Sequence, residues 1–267
     1  MKRVAAVFCM AEDGHFQRLR PVVHGLVRRG LSVHVFTHER YAAEVRRAGA
    51  GFEDLFGGRE LEHGPGASMP VPCRYVTFAG EHGGDVAREL AALGPALVVH
   101  DSFAVVGRLA AESLGLPHVQ VSAGHALDPA RTRAALEGDE RVRLSRRCRD
   151  AVASLRERHG VADASPFSYV AFPSPWLNVY GEPEEFLTPD ERRALEPVVF
   201  FGSLPPADEL GARRRGEGLS SFGEAGTGPR LYASLGTVVW RYWPAVAPPA
   251  PAAAAEATSS FRGAPAG

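Results

Sequence analysis

His15 and Asp101 are the residue types a proton-transfer site needs: an imidazole to take a proton and a carboxylate to steady the imidazolium that forms. His15 follows the apolar run Val4 to Cys9 and an Asp13-Gly14 turn, and Asp101 closes the run Ala96 to His100. If both runs are strands of an open parallel sheet, both residues lie at carboxyl ends of strands, where such sheets bind ligands. A neutral His15 could then accept a hydroxyl proton while its other nitrogen donates to Asp101. The helix N-terminus beside His15 favours the neutral imidazole and Asp101 favours the charged one, and the sequence leaves that balance open. Two plainer readings compete: His15 simply opens a helix, and Asp101 caps the helix that starts near Phe103.

The elements that would place this pair alternate strand and helix. Val4 to Cys9 is apolar throughout, as expected of a strand buried on both faces of a parallel sheet. Leu19, Val22, Val23, Leu26 and Val27 then recur at helical spacing, and Gly30 closes that helix. Leu31 to Thr37 reads as a second strand, Arg40 to Ala48 as a helix and Gly51 to Leu55 as a third strand. Phe56 to Cys73 is Gly/Pro-rich and reads as a long surface loop. The rhythm resumes with a helix over Asp85 to Leu93, a strand over Ala96 to His100, a helix over Phe103 to Leu114 and a strand over His118 to Ser122. Arg131 to His159 is Arg-rich and amphipathic, and Leu177 to Tyr180 and Val198 to Phe201 read as short strands. The pattern predicts an α/β fold with a Rossmann-like, doubly wound parallel sheet.

Composition narrows the partners. The chain has 267 residues, 45% of them hydrophobic, which is ample for a packed core, and a formal net charge of −1. So even a balance gives no basic field to draw the chain to nucleic acid or an anionic membrane, and small molecules are the expected partners. Lys2 is the only lysine, so the positive charge is almost all arginine. The cluster Arg141 to Arg149 is read either as a phosphate-binding patch or as a solvated helix face. Cys9, Cys73 and Cys148 are widely spaced and fit neither a disulfide framework nor a zinc site, so no metal is expected and a reducing cytoplasm is. The amino-terminal apolar run breaks at Glu12, too soon for a signal peptide, and no stretch is long enough to span a bilayer.

Phosphate signatures are sparse. No G-x-G-x-x-G follows the first strand and no G-x-x-x-x-G-K-[ST] occurs, against a dinucleotide oxidoreductase or a P-loop enzyme. Patterns for serine hydrolases, zinc proteases and calcium sensors are also missing. Ser234, Gly236 and Thr237 do form a strand-end turn, after Arg230 to Ser234, whose hydroxyls and backbone N–H groups could hold a diphosphate. Met69, Phe78, Phe103 and Phe167 fall in or beside segments that would flank a ligand cleft, although each fits a core position as well.

Five stretches in order carry a resemblance: DGHFQRLRPVVHGLVRRGLSVHVFT from Asp13, LVVHDSF from Leu97, LPHVQVSAG from Leu116, VVFFGSLP from Val198 and YASLGT from Tyr232. Together they resemble the macrolide-type glycosyltransferases of family 1, which have the two-domain GT-B fold. The resemblance implies that His15 is the general base for an acceptor hydroxyl and Asp101 its orienting partner. It also implies that Ser234, Gly236 and Thr237 contact the diphosphate of a UDP- or TDP-sugar. Transfer would proceed with inversion, without a required metal or further cofactor, to a lipophilic natural product of antibiotic biosynthesis.

On that pattern residues 1–204 are the acceptor-binding domain, 205–229 a linker, 230–243 the first strand and turn of a donor-binding domain, and 244–267 a low-complexity Ala/Pro tail expected to be disordered. The family's W-x-P-Q-like and H-x-G-type donor segments have no counterpart in Val238 to Gly267. A truncated chain, weakly active or inactive alone, is therefore expected, with its bare interdomain face favouring self-association. The alternative is a non-catalytic auxiliary module that binds acceptor and partners a full-length enzyme. A nucleotide-sugar epimerase shares the fold but fits the His15 and Asp101 pair less well.

Overall fold

Among the described residues seven parallel strands form one sheet in the order β3-β2-β1-β4-β5-β6-β7. They are β1 (Val4–Phe8), β2 (Ser32–Thr37), β3 (Gly51–Asp54), β4 (Leu97–Asp101), β5 (His118–Ser122), β6 (Leu177–Tyr180) and β7 (Val198–Phe200). The computed structural model describes residues 3–61, 69–122, 129–170 and 172–200. The proposed linker, the strand over Arg230 to Ser234, the turn with Ser234, Gly236 and Thr237, and the Ala/Pro tail lie outside the described residues.

The strand order reverses between β1 and β4, which are neighbours in the sheet although β2 and β3 separate them in sequence. That reversal opens a crevice at the carboxyl ends of the two strands, the place where doubly wound sheets bind ligands. Alternate side chains of β1 enter two different cores. Ala6 and Phe8 join one layer and Val7 and Cys9 the other, so the strand has to be apolar on both faces.

One layer packs α1 (Asp13–Arg28) and α2 (Ala42–Arg47) against the sheet through Phe16, Leu19, Val23 and Val45. The other holds α3 (Val71–Leu93), α4 (Val105–Ser113) and α7 (Arg146–His159). Arg131 to His159 is three helices, because Asp139 and Ser145 accept backbone N–H groups and restart the chain as α6 (Glu140–Leu144) and α7 after α5 (Pro129–Gly138). Between β6 and β7, Thr188 and Glu191 form a reciprocal capping box that opens α8 (Pro189–Ala194).

The largest departure from the sequence reading is α3, which starts at Val71 inside the expected loop and runs well ahead of Asp85. Pro72, Gly80, Gly83 and Gly84 argue against a helix by propensity, but Pro72 sits in the first turn, where no N–H bond is lost. Gly80 and Gly83 are contact residues. A Cβ on Gly80 would lie 2.4 Å from the Ala151 carbonyl oxygen of α7, and one on Gly83 would lie 2.6 Å from Leu109 of α4. Close approach of three helices sets these two positions, and burial of Cys73, Tyr75, Val76, Phe78 and Ala79 repays the lost propensity.

Gly80→Ala should therefore destabilise the protein by about 1–3 kcal/mol, although alanine is the better helix former, because the backbone of α7 cannot yield as a side chain can. A urea midpoint for this variant equal to or above that of the parent would contradict the close-approach explanation.

Candidate active site

β1 and β4 run in register, with Phe8 beside His100, so the residues that follow them meet across the crevice. α1 starts at Asp13 and carries His15 in its first turn, while Asp101 is the last residue of β4. His15 Nδ1 lies 2.9 Å from Asp101 Oδ1, across 86 positions of sequence. The His15 side chain keeps 15% of its surface exposed and that of Asp101 only 1%.

Asp101 is a hub. Its Oδ2 accepts the Met10 N–H at 2.9 Å, and its Oδ1 accepts the Phe103 N–H at 2.6 Å as well as the contact from His15. Burial works against its charge, but the attraction of His15 and these donors outweigh it and hold the carboxyl below its usual range. An ionised carboxylate can only accept, so Nδ1 of His15 carries a hydrogen, and in the neutral imidazole Nε2 is then the nitrogen with the lone pair. Among the described residues Nε2 has no hydrogen-bond partner, and the arrangement offers a base at Nε2 with a fixed counter-charge behind it.

The two plainer sequence readings are also present in the geometry. His15 does sit at a helix start, and the bond from the Phe103 N–H makes Asp101 the anchor of the turn that leads into α4. One carboxylate makes both sets of contacts, so the helix-entry and turn-anchor roles coexist with the pairing to His15.

Sequence reasoning passed over what holds His15 in place. The Phe103 ring stacks on the imidazole, with centroids 4.4 Å apart, and Tyr75 packs against Phe103 at 5.6 Å. The Tyr75 hydroxyl donates to Glu12 Oε1 at 2.7 Å, which ties α3 to the residue that precedes α1. Burial and the Glu12 carboxylate push the Tyr75 phenol well above its usual range, so it remains a donor. On the other flank Arg18 of α1 donates to the Gly181 carbonyl at 2.7 Å and pairs with Glu182, bracing the helix against the end of β6. Of the four apolar residues considered for the cleft, only Phe103 adjoins His15. Met69, Phe78 and Phe167 are at most 2% exposed and belong to the core.

The arginine cluster divides. Arg141, Arg146 and Arg147 pair with Asp139, Asp150 and Glu81, as on a solvated face, whereas Arg143 and Arg149 line a cavity. Among the described residues there is no group of three or more His, Cys, Asp or Glu placed to hold a metal, and no helix long and apolar enough to cross a membrane.

Behind Asp101 lies a second polar cluster. His100 Nε2 and His118 Nδ1 are 3.0 Å apart with both residues 1% exposed, and Arg108 beside them binds Glu112 at 2.8 Å. Burial, His118 and Arg108 push the His100 imidazole down to about 3, and burial and Arg108 lower His118. A base depressed in the folded state stays neutral while the unfolded chain takes up a proton below about 6.5, so the stabilisation is complete above that pH and declines between 6.5 and 3. Asp101 adds a loss of the same sign at still lower pH, as its carboxylate is protonated. Urea midpoints that do not change from pH 7 to pH 4 would contradict a buried, neutral His100.

Comparison with known proteins places the fold. No protein-family model and no curated protein matches the chain. Among solved structures, the glycotransferase of kitacinnamycin superposes with a TM-score of 0.59 at 20% identity, over 76% of this chain and 52% of that one. The calicheamicin glycosyltransferase gives 0.57 at 22% identity over 76% and 53%, and the spinosyn forosaminyltransferase 0.50 at 16% over 77% and 52%. The chain thus spans about half the length of the solved structures it matches. Its parallel sheet and flanking helices share the Rossmann-like α/β fold of the matched part of these structures, the fold that the sequence pattern predicts.

Proposed function

We propose that this chain supplies the acceptor-binding half of a cytoplasmic glycosyltransferase of secondary metabolism, one that moves a sugar from a UDP- or TDP-sugar to a hydroxyl of a small lipophilic natural product. The observation that carries this reading is the 2.9 Å contact of His15 with a buried Asp101 at the point where strand order reverses. Nε2 of His15 takes the acceptor hydroxyl proton as that oxygen attacks the anomeric carbon. The bond from that carbon to the nucleoside diphosphate breaks, the diphosphate leaves with the electron pair, and the configuration inverts. Asp101 stabilises the imidazolium while the proton resides there. Alignment of the two substrates and neutralisation of the leaving diphosphate supply the rest of the barrier lowering.

In this reading Ser234, Gly236 and Thr237 hold the diphosphate through hydroxyls and backbone N–H groups, and no metal is required. A macrolide or polyketide aglycone fits an acceptor site whose described wall beside His15 is the Phe103 ring. Where the donor half is missing, the face that would meet it favours self-association, and a monodisperse monomer by light scattering would count against that.

The test is transfer by this chain continued into a donor-binding half, with a nucleotide-sugar and a hydroxylated aglycone, followed by mass spectrometry and NMR of the anomeric centre. A glycoside of inverted configuration, formed equally well with chelator present, is the expected product. Retention of configuration, or transfer unaffected by loss of His15, would refute the reading. Aglycone binding without transfer would favour the auxiliary-module alternative.

A further inference from the structure

α6, α7 and Pro166 line a cavity of about 460 Å³ that shares no lining residue with the His15 site. Its floor is apolar, made by Val142, Cys148 and Val152, each at most 8% exposed. Burial raises the Cys148 thiol above its ordinary range, so it stays neutral and packs as an apolar group. The rim is cationic, with Arg143, Arg149 and Arg156 facing a single acid, Glu137, which is already engaged by Arg133 at 2.9 Å.

The three rim arginines differ from their neighbours in sequence. Arg141, Arg146 and Arg147 each meet a carboxylate, whereas Arg143, Arg149 and Arg156 form no ion pair among the described residues. Arg149 donates to the Arg143 carbonyl and Arg156 to the Ala164 carbonyl, both at 2.5 Å. Those carbonyls tether the Arg149 and Arg156 guanidiniums without cancelling their charge. The three arginines border one apolar floor and offer an oxyanion charge-assisted hydrogen bonds.

We propose that this cavity binds a small amphipathic anion, its apolar body on Val142, Cys148 and Val152 and its carboxylate or phosphate between the rim arginines. The volume lies in the range of small-molecule sites. The assignment is independent of the sugar-transfer reading, since it uses neither His15 nor Asp101.

Titration of the purified chain with 2-naphthoate, 1-naphthyl phosphate, 2-naphthalenemethanol and inorganic phosphate, by calorimetry and amide NMR, separates body from charge. Saturable binding of the aromatic anions is expected, with shifts on α6 and α7, while the alcohol and inorganic phosphate bind far more weakly. If only one aromatic anion binds, the site is assigned to that oxyanion. Arg143→Gln removes a side chain that makes no ion pair within the described fold and should weaken binding by about tenfold. Val152→Phe should block the floor. Absence of saturable binding at millimolar anion, equal binding of the alcohol, an unchanged affinity in Arg143→Gln, or shifts centred on His15 would each overturn the assignment.

Discussion

Asp101→Ala should be the most damaging single substitution at the crevice, lowering stability and turnover together. The carboxylate is 1% exposed and receives the Met10 and Phe103 N–H groups as well as His15. Truncation would strand two backbone donors and the imidazole hydrogen in a space too enclosed for water to satisfy them all, at a cost of about 3–5 kcal/mol. A domain with ~5–15 kcal/mol of total stability would lose a large fraction of it. Asp101→Asn is the sharper variant for function. The carboxamide keeps the volume but has a single acceptor oxygen: with its NH₂ on the Oδ1 side it faces the Phe103 N–H and donates to Nδ1 of His15, which holds the imidazole in the tautomer with hydrogen on Nε2. Transfer should then fall by ~10⁴-fold, the size seen when a buried orienting carboxylate is amidated in an analogous triad. Paired measurements of urea midpoint and transfer rate would check both effects, and an Asp101→Asn enzyme at full rate would remove the carboxylate from the chemistry.

His15→Ala should show the opposite balance, a large loss of turnover with a modest loss of stability. The imidazole is partly exposed and stacked on Phe103, so its removal gives up one ring contact and one hydrogen bond while Asp101 keeps its two backbone donors. The fold should survive. Without a base aligned on the acceptor hydroxyl, transfer should drop by ~10² to 10⁴-fold in a chain carrying its donor half. Acceptor KM should change far less than kcat, because the proton transfer belongs to the transition state. A variant with reduced KM performance but intact kcat would make His15 a binding residue instead.

How much of this was legible in the sequence depends on which signal each element carried. The strands were plain because a parallel sheet covered on both faces demands unbroken apolar runs such as Val4 to Phe8. The His15 and Asp101 pair was legible because strand ends converge in such a sheet, so topology supplied what sequence distance hid. The start of α3 falls inside Phe56 to Cys73, whose Gly/Pro-rich composition reads as loop, and Gly80 and Gly83 obscure its middle until the neighbouring helices that require them are in view. The brace from Tyr75 to Glu12 spans 63 positions and follows from no local pattern. Residue type alone also failed to separate Phe103, beside the imidazole, from Met69, Phe78 and Phe167 in the core. The placement of Ser234, Gly236 and Thr237 lies outside the described residues, and their role rests on the motif.

The hydrogen on His15 decides whether this pair can act as the base of a sugar transfer. Nitrogen-15 NMR of the imidazole, with His15→Ala used to assign its signals, reports which ring nitrogen carries the hydrogen in the neutral form. A hydrogen on Nδ1, shielded from exchange by Asp101, with a bare Nε2, is the expected state. A hydrogen on Nε2 with Nδ1 bare would contradict it, since the nitrogen turned away from the carboxylate would then have no lone pair to receive a proton.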